Sequence, residues 1–125
     1  MQHTSSFLAL VKQAKQVIKE INIAEVGQLL EQNPAAILVD VREDREWING
    51  HLPKAIHLGK GVIERDIENT IPDKATVLVL YCGGGYRSAL AAENLQKMGY
   101  KNVISMDGGF HGWVNAGLPY THQNE

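Results

Sequence analysis

The chain has 125 residues and a mass of 13.8 kDa, enough for one domain that buries about two-thirds of its unfolded surface without metal or disulfide staples. A hydrophobic share of 44% with 21% charged residues fits a globular fold and excludes a highly charged disordered chain. Twelve Lys and Arg against fourteen Asp and Glu give a formal net charge of -2, so no basic excess points to nucleic acid.

The first stretch is predicted to be an amphipathic helix over residues 1–20. Ser5 and Ser6 supply its cap, and Phe7, Leu10, Val11, Ala14, Val17, Ile18 and Ile21 recur at helical spacing. Lys12, Lys15 and Lys19 against Glu20 make this stretch +2. Such a helix can touch a membrane surface or an acidic partner, or pack on the domain or on a second copy as a homodimer. The longest early apolar run is five residues, Phe7 to Val11, with no Lys or Arg before it, so no secretory signal is expected. Nothing nears the roughly 18 apolar residues of a membrane span. Cytoplasmic location is the expectation.

From residue 21 to 120 short strands and helices alternate. Strands are predicted at 21–23, 36–41, 55–58, 76–81 and 103–105, and helices at 24–32, 43–49, 62–69, 86–98 and 110–115. The run Ala36 to Val41, apolar but for the charged Asp40 near its end, suits a parallel strand buried on both faces of a sheet, and Thr76 to Tyr81 is the strongest strand. This alternation predicts an α/β fold with a parallel sheet and helices on both faces. Residues 121–125 read as a tail.

The single cysteine, Cys82, cannot form an internal disulfide or a CxxC metal knuckle, which fits a reducing compartment. It follows the strongest strand and precedes the longest helix of the alternating region. In open α/β sheets ligands bind at the carboxyl ends of strands. Between strand and helix stand Gly83, Gly84 and Gly85, then Tyr86, Arg87 and Ser88. Glycines let the backbone curl so that successive N–H groups converge on an anion. The helix start adds free N–H groups and partial positive charge, and Arg87 adds a permanent cation. A free thiol is only a few per cent ionised at neutral pH, and each of these features favours the thiolate. The glycine run taken alone is also compatible with a nucleotide phosphate.

The Cys-x4-Arg loop, Cys82-Gly83-Gly84-Gly85-Tyr86-Arg87 followed by Ser88, resembles the active-site loop of rhodanese-like sulfurtransferases. The upstream segment Asp40-Val41-Arg42-Glu43, Glu46-Trp47, Gly50-His51-Leu52-Pro53 and Ala55 is similar to that family's, as are Gly108-Gly109, Trp113 and Gly117-Leu118-Pro119 downstream. The likeness runs over about residues 21–119. Lys54 departs from it, standing where the family usually has glycine.

The resemblance implies a five-stranded parallel sheet and a thiosulfate sulfurtransferase in which Cys82 carries sulfane sulfur as a persulfide. The donor would be a small anion such as thiosulfate, and the acceptor cyanide or a thiol. A protein donor or acceptor is the alternative, with the domain acting as a carrier or docking module. No cofactor beyond the persulfide is implied. Residues 83–88 would cradle the persulfide, and Arg87 would hold the loop or the incoming anion. Related phosphatases use a loop one residue longer, Cys-x5-Arg, so four intervening residues suit one sulfur atom better than a phosphate. The Cys-Gly-Ser/Ala-Gly-Val-Thr sequence of mercaptopyruvate-specific relatives is absent.

The resemblance implies that Asp40 and Arg42 pair and brace the base of the loop. His51 has a structural part by resemblance, and Trp47 and Trp113 are expected in the core or at its rim. Lys60, Glu64 and Arg65 belong to the segment that forms the pocket entrance in the family. Tyr86 is a candidate for shaping the donor pocket. His3, His57, His111 and His122 show no ligand spacing, so no metal is expected.

Overall fold

The computed structural model describes residues 2–122. Among them five parallel strands form one sheet in the order β1-β5-β4-β2-β3. The strands are β1 (Lys19–Ile21), β2 (Ile37–Asp40), β3 (Ile56–His57), β4 (Val77–Tyr81) and β5 (Asn102–Met106). The helices are α1 (Ser5–Lys15), α2 (Ile23–Gln32), α3 (Asp44–Ile48), α4 (Ile63–Thr70), α5 (Tyr86–Lys97) and α6 (Gly109–Asn115).

Alternation along the strands sorts side chains between two cores. Val39, Leu78 and Leu80 face Ile63 and Ile67 of α4 and Ala91, Ala92 and Leu95 of α5. Leu38, Val79 and Tyr81 face the other way, toward Val26 of α2 and Trp113 of α6. Both faces of β4 are therefore covered, which is why its sequence is apolar throughout. A third, smaller cluster seats Val11 and Ala14 of α1 on Ala89 and Leu90 of α5.

The start of the chain departs from expectation in three ways. Thr4, and neither Ser5 nor Ser6, caps α1, its hydroxyl accepting from Phe7 N at 3.4 Å. The helix ends at Lys15, and Lys19 and Glu20 belong to β1 instead. The strand predicted at 21–23 ends at Ile21, because Asn22 and Glu25 form a capping box (2.8 and 3.0 Å) that starts α2 at Ile23. Of the predicted tail, Thr121 is tied to the domain, exchanging backbone hydrogen bonds with His51 at 2.7 and 2.9 Å. Residues 123–125 of that tail lie outside the described residues. Among the described residues no helix is long and apolar enough to cross a membrane.

Candidate active site

Cys82 leaves the carboxyl end of β4, the middle strand. From β4 the chain moves through α5 to β5 on one side, whereas from β2 it moves through α3 toward β3 on the other. The loops diverge and open a crevice between the neighbouring strands β2 and β4, the switch point where open α/β sheets hold ligands.

The thiol is 1% exposed and touches the core on one side, yet backbone donors also aim at it. Gly85 N–H donates to Sγ at 3.1 Å and Ser88 N–H at 3.4 Å. The thiol itself reaches Ser88 Oγ at 3.5 Å, and that hydroxyl lies 2.8 Å from Ser105 Oγ on β5. The inward turn of the loop depends on Gly85, which caps α5 at φ +105, a conformation that side chains rarely adopt. Gly84 has nothing near its absent Cβ and no positive φ. The three glycines, equivalent on paper, thus carry unequal demands.

The loop is held from behind by the start of α6. Phe110 N–H donates to Cys82 O at 2.7 Å, and His111 N–H to Gly83 O at 3.0 Å. This approach is so close that a Cβ on Gly109 would stand 2.5 Å from Cys82 O. Gly108-Gly109, read in the sequence only as part of a resembling segment, is a direct support of the thiol loop.

Arg87 does not stand free. Its guanidinium donates to both carboxylate oxygens of Glu46, at 2.6 and 3.1 Å. The hydrogen bond to Glu46 is the first cause of Arg87 being held even more firmly protonated than usual. In return the Arg87 hydrogen bond holds the Glu46 carboxyl down at about 2, against the opposing effect of burial. Arg87, expected to hold the loop or the incoming anion, thus stands in an ion pair that ties the loop to α3 across the crevice. Sequence reasoning missed Glu46 as the partner. Its spacing to Glu43 shows a capping box, which forms at 3.1 Å, but nothing local reveals a bond to a residue 41 positions away.

Asp40 and Arg42 do pair, in the interior. They are 0% and 4% exposed, and the guanidinium donates to the carboxylate at 2.8, 3.0 and 3.1 Å. It also donates to Gly50 O at 2.6 Å and lies 4.2 Å over the Phe110 ring. One buried cation therefore joins β2, the Gly50-His51 turn and α6. Nearby, Leu52 N–H donates to the Tyr81 hydroxyl at 3.0 Å, and burial pushes that phenol's pKa well up. His51 stacks on Trp47 at 3.6 Å between centroids, with His57 on the same ring system at 5.0 Å. Trp113 is buried and donates to Pro119 O at 2.7 Å. Lys54 holds φ +65, the left-handed turn geometry that glycine would accept without strain.

The cleft above Cys82 has a volume of about 880 Å³. Glu46, Tyr86, Arg87 and His111 line it together with residues of the N-terminal segment, the aromatic pair His3 and Phe7 among them. Neither the N-terminal pair nor His111 was singled out in the sequence as part of the site. Of the three charged residues expected at the entrance, Lys60 lines a neighbouring cavity of about 590 Å³ that shares Arg87. Glu64 instead accepts from Asn94 at 2.7 Å, and Arg65 is exposed and bonded to Asp66 at 2.7 Å. Among the described residues no cluster of three His, Cys, Asp or Glu could hold a metal ion.

A central-strand cysteine wrapped by backbone N–H groups, with four residues between it and an arginine, in a five-stranded parallel α/β domain defines the rhodanese-like class. The chain belongs to the Rhodanese-like domain family, which matches residues 22–116. It is 35% identical over 102 residues to the Bacillus subtilis (strain 168) protein named "Putative sulfurtransferase YtwF", covering 82% of this chain and 96% of that one. Among solved structures it is similar to the polysulfide-sulfur transferase homodimer of Wolinella succinogenes, with a TM-score of 0.81 and 28% identity over 97% of this chain and 90% of that one. It is also similar to a Rhodopseudomonas palustris CGA009 protein of unknown function described as "Possible Tyrosine Phosphatase", with a TM-score of 0.80 and 29% identity, covering 97% of this chain and 98% of that one.

Proposed function

We propose that Cys82 accepts a sulfane sulfur atom from thiosulfate and hands it to cyanide or a thiol. The observation that carries this reading is the placement of Sγ at the floor of an open cleft with the N–H groups of Gly85 and Ser88 directed at it. The Cys82 thiolate attacks the outer sulfur of thiosulfate, the S–S bond breaks, and sulfite leaves with the electron pair. The resulting Cys82 persulfide is an anion, which the electropositive N–H groups and helix start would stabilise. Cyanide attacks that sulfur and leaves as thiocyanate, returning the thiolate. Gly83, Gly84, Tyr86 and Arg87 complete the loop, Ser88 orients the sulfur, and Asp40 with Arg42 supports the loop from β2. The reaction needs no cofactor beyond the transferred sulfur. A thiol that must stay reduced between turnovers suits the cytoplasm.

Incubation with thiosulfate should add one sulfur atom to the mass of the intact protein. Cyanide should remove it, and Cys82→Ser should never acquire it. An unchanged mass under a large excess of donor would overturn the reading.

A carrier role is the second reading. The Wolinella succinogenes relative is a homodimer, and α1 leaves Leu10 at 52% and, just after it, Val17 at 59% exposed. These two side chains are where a second copy would dock. Phosphate-ester hydrolysis finds no support in the loop, which has only four residues between cysteine and arginine.

A further inference from the structure

The cleft over Cys82 is larger than the transfer of one sulfur atom requires. Its volume of about 880 Å³ is that of sites for organic ligands, which span roughly 300–1,000 Å³. Its arginines are already paired. Arg87 bonds Glu46 at 2.6 Å, and Arg45 bonds Glu43 at 3.0 Å, and all four residues line the cleft. Neither pair leaves an arginine free to favour one anionic donor over another.

Another part of the lining is aromatic. The His3 ring lies 5.0 Å from Tyr86 in an edge-on arrangement and 5.2 Å from Phe7, and Phe7 lies 6.3 Å from Tyr86. Tyr86 comes from the thiol loop itself. His3 and Phe7 come from the N-terminal segment, outside the 22–116 span that matches the family. That segment is held in place by Val11 and Ala14 on α5, so the aromatic surface is attached to the same helix that begins at the thiol loop.

We infer that the N-terminal segment is a specificity wall: Phe7 and His3, with Tyr86, select sulfur donors that carry an aromatic or apolar organic body. The inference rests on the Cys82 persulfide reading. The step it serves is balanced without a proton or a redox partner. The Cys82 thiolate attacks the outer sulfur of an organic thiosulfonate, the S–S bond breaks, and a sulfinate anion leaves with the electron pair. The organic body of the donor then has an aromatic face to lie against, a contact whose loss is worth a several-fold change in rate.

The test compares two donors with the same reactive group, benzenethiosulfonate and methanethiosulfonate, on the full chain. The wild-type protein should show the higher kcat/KM with the benzene donor. The benzene-to-methane ratio should fall roughly fivefold to tenfold in Phe7→Ala, in line with one aromatic contact. Phe7→Leu keeps apolar bulk on α1 and should lower the ratio too, with circular dichroism unchanged. Leu8→Ala, on an exposed position of the same helix, should leave it unaltered. A ratio indifferent to both Phe7 substitutions, or lowered equally by Leu8→Ala, overturns the wall. If neither donor nor thiosulfate adds sulfur to wild-type Cys82, the persulfide reading itself fails. If sulfur is added and the ratio ignores Phe7, only the wall does.

Discussion

Glu46 and Arg87 meet across the crevice from opposite sides of the sheet's switch point, and their pairing is a titratable contribution to stability. The Glu46 carboxyl is depressed from 4.5 to about 2, first by the Arg87 hydrogen bond. A depressed acid stabilises the fold above its unfolded value, and the contribution is lost as pH falls through the folded one. Wild-type stability should therefore drop between pH 4.5 and about 2 by more than that of Glu46→Gln, as read from urea midpoints across that window. Both side chains are about 30% exposed, and solvent screening keeps the difference to about 1 kcal/mol. Equal slopes for the two proteins would show that the pair contributes nothing measurable. At this scale the sequence was informative where a residue acts locally. Lys54 stood out where the resembling family usually has glycine, and the chain there does hold it at φ +65. Arg87 was legible as a cation near the thiol, but its neutralisation depends on a contact between distant positions and was not.

At the scale of elements, the thiol loop is shaped by a helix start in front and a helix start behind. Gly85 turns the chain into α5 at φ +105, and Gly109 lets α6 approach until its absent Cβ would stand 2.5 Å from Cys82 O. Gly85→Ala and Gly109→Ala should each destabilise the protein by about 1–3 kcal/mol, the range for strain and overpacking. Both should also abolish persulfide formation at protein concentrations where the fold persists. Gly84→Ala, with open space around the position, should keep near-normal stability and sulfur loading. Thermal melts and intact mass separate the three, and equal losses at all three positions would contradict this account. The loop itself was visible in the sequence because strand, glycine run and helix are consecutive. Its rear support was not, since the 27 positions from Cys82 to Gly109 are closed only when β5 pairs with β4.

At the scale of the molecule, α1 serves two surfaces. Its buried face is occupied within the chain by Ala89 and Leu90, which leaves Leu10 and Val17 outward for the proposed contact between copies. Sedimentation should find a dimer at micromolar concentration that Leu10→Lys converts to monomer while persulfide loading persists. A wild-type monomer throughout that range would remove the dimer from the proposal.

The amino-acid sequence by itself determined the class of fold, the strand that ends at the thiol and the identity of the loop, because each depends on residues adjacent along the chain or on a repeating apolar period. Tertiary structure alone decided that Glu46 would occupy Arg87, that Gly109 would back the loop, and that His3 and Phe7 would line the cleft. These are contacts across the sheet and between helices, and no local spacing encodes which distant side chain a folded surface will bring within reach.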